Sequence, residues 1–230
     1  MDAVFVLCVR TGIPGRKFSA CICLSKIKEL SLSKAIKRQK GIFSMSENNE
    51  NMQNYMYYRS RVYQDLMPGH VEMAMISERN HLQRCQLSSS ENLGIQVKQG
   101  DICYTDFGQG YLYECAFQHF GLVLSIYGSK ALLVPMTSNT LQYRNAYDPN
   151  DNPSGRKHLM RIGLIPGMRK HSVLFLNDLK YVNTARVIDI MGRIDPGSDL
   201  FIEIQTRILR LIMSDGRITT CLKRIRENDM

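Results

Sequence analysis

The sequence predicts a mainly β protein with helices, in which a small and strongly bent sheet or barrel is closed by one C-terminal helix. Three observations favour this fold class. From residue 97 onward, short apolar runs alternate with turn-forming residues, which is typical of short strands. Residues 198–212 then carry apolar side chains at helical spacing. Residues 46–84 show helical spacing as well, so we expect a helical N-terminal extension before the sheet.

The length of 230 residues allows one domain with additional segments, or two small domains. Composition divides the chain into four predicted parts. They are a basic arm, with disorder as the favoured state, over 1–44; a helical extension over 45–95; a barrel domain with its closing helix over 96–213; and a polar tail over 214–230. The acidic, helix-opening sequence behind Met45 suggests that the natural protein starts there, and N-terminal sequencing of the native product would refute this hypothesis by finding earlier residues.

Two helices are expected in the extension. The first is predicted over 46–67 with Ser46 as its N-cap, and Pro68-Gly69 stops it. Its Met and Tyr side chains at helical spacing are more typical of a packing surface than of a ligand site. The second helix is predicted over 70–84, with its apolar side formed by Val71, Met75 and Leu82.

Strands follow a Ser-rich linker. The predicted strands are 101–107, 120–127, 130–135, 158–162 and 172–176, with a mixed segment over 179–190. Gly128-Ser129 makes a hairpin turn, and the polar residues 139–155 are predicted to form a long loop. A turn is expected at 183–186. Ser198 is predicted to cap the last helix, which ends at Asp215-Gly216 and has the apolar face Leu200, Ile204, Ile208, Leu211 and Ile212.

Charge and cysteine content argue against two interpretations, an RNA-binding barrel inferred from charge alone and a zinc site. The formal net charge is +9, but most of the excess lies in residues 1–44, so charge alone does not identify the barrel as an RNA binder. The seven Cys are an odd number, and the C-x-C pair Cys21 and Cys23 is a poor zinc signal. We therefore expect reduced thiols in a cytoplasmic protein with no metal. No apolar run is long enough to span a bilayer, and the short apolar run near the start, preceded by Asp2, leads us to expect no secretion signal.

Four short motifs occur in an order that indicates a known family. They are Gly100-Asp101-Ile102 with Asp106-Phe107-Gly108, then Gly121-Leu122-Val123-Leu124-Ser125, then Val134-Pro135-Met136-Thr137-Ser138, and finally Ser172-Val173-Leu174-Phe175-Leu176 with Val182-Asn183-Thr184-Ala185-Arg186. Through them, residues 97–212 resemble the MazF/PemK family of toxin–antitoxin endoribonucleases. The similarity extends to barrel toxins of RNA-antitoxin systems.

The resemblance implies a compact SH3-like barrel that forms a homodimer. It implies cleavage of single-stranded RNA without metal or other cofactor, in which the 2′-hydroxyl attacks the adjacent phosphate. The implied partners are the RNA and an antitoxin, either protein or RNA, with no membrane. A gene for a small acidic protein immediately upstream would favour a protein antitoxin, and short tandem repeats there would favour an RNA antitoxin.

The resemblance also assigns candidate catalytic residues. Members of the family usually have an Arg just before the second strand and a Thr or Ser after the third. Here the first position aligns with His119 and the second with Thr137 and Ser138. The resemblance implies that His119 acts as acid or base and that Thr137 and Ser138 stabilise the phosphate. A His titrates near neutral pH but is a poorer permanent cation than Arg. The chain is therefore an active metal-independent endoribonuclease or, alternatively, a weak or inactive barrel that binds RNA or a protein. Without the family, a lone His beside an apolar strand is usually structural.

Further residues are candidates for RNA binding. They are Gln109, Gln118, Arg144, Arg156, Lys157, His158, His171 and Arg186. For the basic residues of the polar loop, the alternative is a solvated surface, and for Arg186 it is a structural role in its turn. The helices of residues 45–95 are expected either to restrain the barrel or to build the dimer.

Overall fold

The computed structural model describes residues 45–213 and residue 216. The predicted basic arm, the predicted helix end at Asp215 and nearly all of the polar tail lie outside the described residues. The chain divides into two compact units, one up to Leu66 and one from Met67 onward.

The described part of the first unit is helix α1, Met45–Asp65. The predicted helix is therefore confirmed, but the N-cap at Ser46 is wrong because the helix already includes Met45. The Met and Tyr side chains predicted as a packing surface are exposed, Met52 at 60% and Tyr55 at 57%. Arg59 instead stacks on the ring of Tyr63, with its guanidinium carbon 5.0 Å from the ring centroid.

The second unit begins with helix α2, Pro68–Arg84, which has Pro68 in its first turn, where a missing N–H costs nothing. The predicted apolar side of this helix is wrong, because Met75 and Leu82 are exposed. The packed face carries the small residues Ala74 and Ser77, both buried. Side chains on this face donate hydrogen bonds to the sheet. These polar contacts, and not the apolar residues of the helix, mark the side of α2 that packs.

The described residues form one eight-stranded sheet. Its strands are β1 Asp101–Asp106, β2 Gln118–Tyr127, β3 Lys130–Thr137, β4 Ala146–Tyr147, β5 Arg156–Gly163, β6 Ser172–Phe175, β7 Lys180–Asn183 and β8 Val187–Arg193. The order is β4-β5-β6-β3-β2-β1-β8, with β7 also paired to β3. Strand β3 pairs with β7 through residues 130–133 and with β6 through residues 136–137, so the sheet divides and bends at this strand. The predicted class, a mainly β fold with a bent sheet, a closing C-terminal helix and a helical N-terminal segment, is confirmed.

The segment 139–155 differs from the predicted long loop. Helix α3, Thr140–Asn145, starts after Asn139, whose side chain accepts a 2.8 Å hydrogen bond from the N–H of Leu141. Strand β4 follows α3 directly, so the polar loop is shorter than predicted and consists of the residues between β4 and β5. The sequence signal for α3 was its Asn N-cap, but six residues are too few for a recognisable apolar period.

The two faces of the sheet are covered differently. Helix α4, Asp199–Ile212, has the predicted Ser198 cap and buries Phe201, Ile204 and Ile208 against one face. Of its predicted apolar face, Leu211 and Ile212 are exposed. The alternate residues of the strands form two separate apolar clusters on the other face, one containing Val123 and Leu133, the other Leu159 and Val173. The candidate site lies on this second face.

Candidate active site

A row of polar side chains crosses neighbouring strands near the end of the sheet. Thr105 of β1 lies directly opposite His119 of β2. Gly121 lies opposite Pro135 of the antiparallel strand β3. His119 lies two residues before Gly121, and Thr137 lies two residues after Pro135, so His119 and Thr137 share one face of the sheet. Thr137 in turn lies opposite Val173 of β6. The fold thus brings together His119 and Thr137, which the sequence predicted, and adds Thr105, which it did not.

Two atoms of this row have unused hydrogen-bonding capacity. Nδ1 of His119 and Oγ1 of Thr105 are buried, and neither has a hydrogen-bond partner among the described residues. Thr105 is completely buried, whereas the ring of His119 is half-buried. Buried polar atoms of native proteins are nearly always paired, so these two atoms on directly opposed residues mark the position that we take as the candidate site.

The pKa of His119 is lowered from its ordinary value, chiefly because burial removes water from the charged ring. A hydrogen bond between the ring and the backbone of Ala116, together with the negative charge of Asp178, opposes this shift. The lowered pKa favours the neutral form of the ring. A neutral imidazole has one nitrogen lone pair, so His119 can accept a proton from a bound hydroxyl.

The predicted hydroxyl residues lie at the end of β3. Oγ1 of Thr137 accepts a 3.2 Å hydrogen bond from the N–H of Asn139, and the side chain is half-buried. A hydroxyl that accepts a hydrogen bond keeps its own proton for donation. Ser138 follows and is exposed. The Thr137 hydroxyl can therefore donate to an anion on this face of the sheet.

Two charged residues that the sequence reasoning missed hold the backbone of Cys115, four residues before His119, and the charge of Asp178 acts on the His119 ring. Asp178 Oδ2 accepts a 2.5 Å hydrogen bond from the N–H of Cys115. Lys180 Nζ donates a 2.8 Å hydrogen bond to the carbonyl oxygen of Cys115. A D-x-K pair at the start of a strand cannot be distinguished from solvated surface charges in a sequence. Burial raises the pKa of the Cys115 thiol to about 12, so this thiol is not a nucleophile.

Gln118 does not join the row, because it lies opposite Asp106 and therefore on the other face. Its side-chain amide donates over 3.2 Å to the Asp106 carboxylate. Gln109 is exposed in the loop between β1 and β2, whose base is closed by the 2.7 Å bond from Phe107 N–H to the carbonyl of Phe117. Arg186 is exposed, and its Nη1 lies 3.4 Å from the carbonyl oxygen of Asp106.

The remaining predicted RNA-binding residues lie on or near β5, which β6 and β3 separate from the strand of His119. Arg144 and Lys157 are exposed, whereas Arg156 is half-buried. His158 is half-buried, and its pKa is lowered by burial and by the charge of Arg156. His171 is exposed and packs edge-on against the ring of Tyr143, with 5.8 Å between the ring centroids. These residues form a second polar region and are not part of the row.

Arg161 organises that second region and was also missed by the sequence reasoning. Its Nε donates over 2.8 Å to the carbonyl oxygen of Tyr143, and its Nη1 lies 2.5 Å from the Asp151 carboxylate. The guanidinium carbon lies 4.8 Å from the centroid of the Tyr143 ring. Arg161 therefore ties helix α3 and the polar loop to β5 by its charge and its stacking.

Residues 45–213 contain neither a candidate metal site nor a helix that could cross a membrane. No group of three or more His, Cys, Asp or Glu side chains within residues 45–213 could hold a metal ion. No helix in the described part of the chain has the length and apolarity that crossing a membrane requires.

Comparison with known proteins finds similarity in backbone structure. No family model and no curated protein matches the sequence. The Mycobacterium tuberculosis toxin MazF-mt6 matches with 10% identity and a TM-score of 0.34, covering 48% of this chain and 93% of that one. MazF from Deinococcus radiodurans matches with 14% identity and a TM-score of 0.39, covering 51% and 97%. A MazE–MazF structure from the same organism has 13% identity and a TM-score of 0.36, covering 52% and 97%.

These three solved structures contain MazF toxins, the group that the sequence motifs resemble. The matching part is about half of this chain. Because identities this low leave the side chains of a site free to differ, the chemistry of this chain depends on its own residues.

Proposed function

We propose that this chain is a toxin-type endoribonuclease that cleaves single-stranded RNA without a metal ion. The observation that carries the proposal is the buried Nδ1 of His119, which has no hydrogen-bond partner among residues 45–213 and belongs to a ring that shares one face of the sheet with Thr137. General acid–base catalysis needs a group whose pKa lies near the working pH. We assign the acid–base role to His119, whose imidazole is the titratable group of the row, and the role of hydrogen-bond donors to the phosphate to the hydroxyls of Thr137 and Ser138.

In the proposed reaction, neutral His119 accepts the proton of a ribose 2′-hydroxyl. The 2′-oxygen forms a bond to the adjacent phosphorus while the bond from phosphorus to the 5′-oxygen breaks. The leaving 5′-oxygen takes up a proton, which the protonated His119 returns. Thr137 and Ser138 donate hydrogen bonds to the phosphate oxygens, where negative charge develops in the transition state. The products are a 2′,3′-cyclic phosphate end and a 5′-hydroxyl end.

The proposal includes the partners and the location of the protein. The exposed residues Gln109, Arg144 and Lys157, with His171, would contact the RNA on either side of the reacting phosphate. An antitoxin, protein or RNA, would neutralise the enzyme in the cytoplasm, and two copies would form a homodimer. One of the matching solved structures contains MazF together with MazE, which supports a protein antitoxin.

A cleavage assay tests the proposed function. Purified protein is incubated with a long single-stranded RNA in EDTA, next to the double variant His119→Ala, Thr137→Ala. A matched double variant, His81→Ala, Thr140→Ala, changes the same residue types at exposed positions outside the row. We expect cleavage by the wild type and the matched control only, and growth arrest by the same two proteins on expression. Equal cleavage by all three proteins, or by none, would refute the proposal.

A second candidate function is a non-catalytic barrel that binds RNA or a protein. The half-burial of the His119 ring favours it, because a substrate hydroxyl must reach that ring. RNA that binds with the same affinity to the wild type and to the His119→Ala, Thr137→Ala variant, without being cut by either, would identify this function.

A further inference from the structure

Cys115 is held at both of its backbone groups by two residues of opposite charge. Its N–H donates to Oδ2 of Asp178 over 2.5 Å, and its carbonyl oxygen accepts from Nζ of Lys180 over 2.8 Å. Asp178 and Lys180 lie 63 and 65 residues later in the chain, Asp178 just before β7 and Lys180 at its first position. A distant segment thus fixes the last part of the β1–β2 loop.

The hold is strong for physical reasons. The side chains of Asp178 and Lys180 are only 17% and 25% exposed, so water screens their charges weakly. Lys180 Nζ lies 3.7 Å from Oδ1 of Asp178 and 3.6 Å from the Glu114 carboxylate. Hydrogen bonds with one ionised partner are about twice as strong as neutral ones. The Cys115 side chain is itself buried, so its role is that of a neutral anchor.

The residues between this anchor and His119 depend on it. Ala116 follows Cys115, and its backbone contacts His119. Phe117 has a φ of 59°, a conformation that a bulky residue adopts only when its surroundings impose it. The N–H of Phe117 donates over 2.6 Å to the carbonyl oxygen of Gly108, which closes the loop. The position of the His119 ring therefore follows from the anchor at Cys115.

We infer that Asp178 and Lys180 are positioning residues, which hold the approach to His119 and set the electrostatic environment of its ring. The inference rests on the proposed function, because it assigns a supporting pair to the proposed catalytic base. The charge of Asp178 acts directly on the His119 ring. Lys180 in turn lies against the carboxylates of Asp178 and Glu114. Thr105 opposite the ring carries no charge, and the Cys115 thiol stays protonated.

The substitution Asp178→Asn tests the inference. The variant keeps a side-chain oxygen for the Cys115 N–H but loses the negative charge that favours a protonated His119. Titration of the histidine ring signals by NMR follows His119 directly, with His119→Gln used to assign its signal. We expect the His119 midpoint to move to lower pH, while the His158 midpoint stays unchanged. Asp195→Asn, at an exposed position, should move neither. A His119 midpoint that is the same in Asp178→Asn and wild type would overturn the inference.

A second variant keeps the inference testable if Asp178→Asn does not fold. Lys180→Met removes the donor to the Cys115 carbonyl and leaves the carboxylate in place. We expect amide hydrogen exchange at residues 114–118 to become about fivefold or more faster, as loss of a single hydrogen bond of about 1 kcal/mol would produce. Unchanged exchange there would contradict the inference.

The two readouts separate this inference from the proposed function. NMR shifts of His119 without any RNA cleavage support the positioning pair and refute the catalytic role. Cleavage by the wild type, together with an unmoved His119 midpoint in Asp178→Asn, would support the catalytic role and refute the positioning pair. If both hold, the acid limb of the pH profile of kcat/KM moves to lower pH in Asp178→Asn, together with the NMR midpoint.

Discussion

Ser77 Oγ of helix α2 donates a 2.8 Å hydrogen bond to Oδ1 of Asp106 at the end of strand β1. The same carboxylate accepts from the side chains of Asn80 and Gln118 and from the N–H of Gly108. Asp106 is only 4% exposed, so these four bonds compensate for the burial of its charge. Helix α2 is therefore joined to the sheet by polar contacts at the start of the β1–β2 loop.

The alanine variants Ser77→Ala and Asn80→Ala test this network. Each removes one donor to a buried carboxylate, and we expect each to lower the free energy of unfolding by roughly 1–3 kcal/mol. Gln83→Ala, at an exposed position of the same helix, is the control and should change it by less than about 0.5 kcal/mol. Urea unfolding measures all three. A Ser77→Ala protein as stable as Gln83→Ala would contradict the role of Asp106.

Stability should depend on pH through His119 and His158. Burial lowers the pKa of both rings, so on acidification the unfolded chain binds protons before the folded one does. The free energy of unfolding is therefore highest above about pH 6.5, the ordinary pKa of His, and falls as pH is lowered through and below that value. Denaturant unfolding at several pH values measures this slope.

Histidine substitutions provide the control for that slope. His119→Gln and His158→Gln should each flatten it, because each removes a group that the unfolded chain protonates first. His81→Gln, at an exposed position, should leave it unchanged. A slope that survives in the two buried-site variants would show that other groups cause it.

The cysteines of the described segments should differ in reactivity. Burial raises the pKa of Cys103 and Cys115 to about 12, whereas Cys85 is exposed. Because the thiolate is the reacting form, a maleimide or aromatic disulfide reagent at pH 7.5 should label Cys85 first. Peptide mass mapping before and after unfolding follows each site. Labelling of Cys115 in the folded protein at the rate of Cys85 would contradict the buried anchor.

Arg161→Met should destabilise the region around helix α3. The guanidinium is 14% exposed and neutralises Asp151, while it also donates to the backbone of Tyr143. Asp151 is 70% exposed, so the ion pair itself contributes little, and the loss of the hydrogen bond to the Tyr143 carbonyl oxygen should lower the free energy of unfolding by about 1–3 kcal/mol. Arg210→Met, at an exposed position of α4, is the control. Equal unfolding midpoints for the two variants would contradict this account.

The strands were predictable because β-branched and apolar runs with clear turns mark them. The prediction failed where polar tertiary contacts decide the structure. In α2, the exposed Met75 and Leu82 mimic a core face, while Ser77 is the residue that is buried. The packing of α2 depends on an acceptor 29 residues away, which no local pattern reveals.

The candidate site was predictable only in part, for the same reason. Motif order indicated His119 and Thr137, and strand register brings both to one face. The contacts of Asp178 and Lys180 depend on how the start of β7 and the residues just before it meet the β1–β2 loop, more than 60 residues away along the chain. Such a juxtaposition follows from the folded sheet and has no signature in the sequence.

The most direct test of the central claim is the mapping of RNA ends after incubation in EDTA with the wild type and with His119→Ala. We predict that the wild type produces 2′,3′-cyclic phosphate and 5′-hydroxyl ends, and that His119→Ala cuts at least about 100-fold more slowly, as expected for loss of a general base. Equal cleavage by both proteins, or no cleavage by the wild type above the His119→Ala, Thr137→Ala variant, would contradict the account.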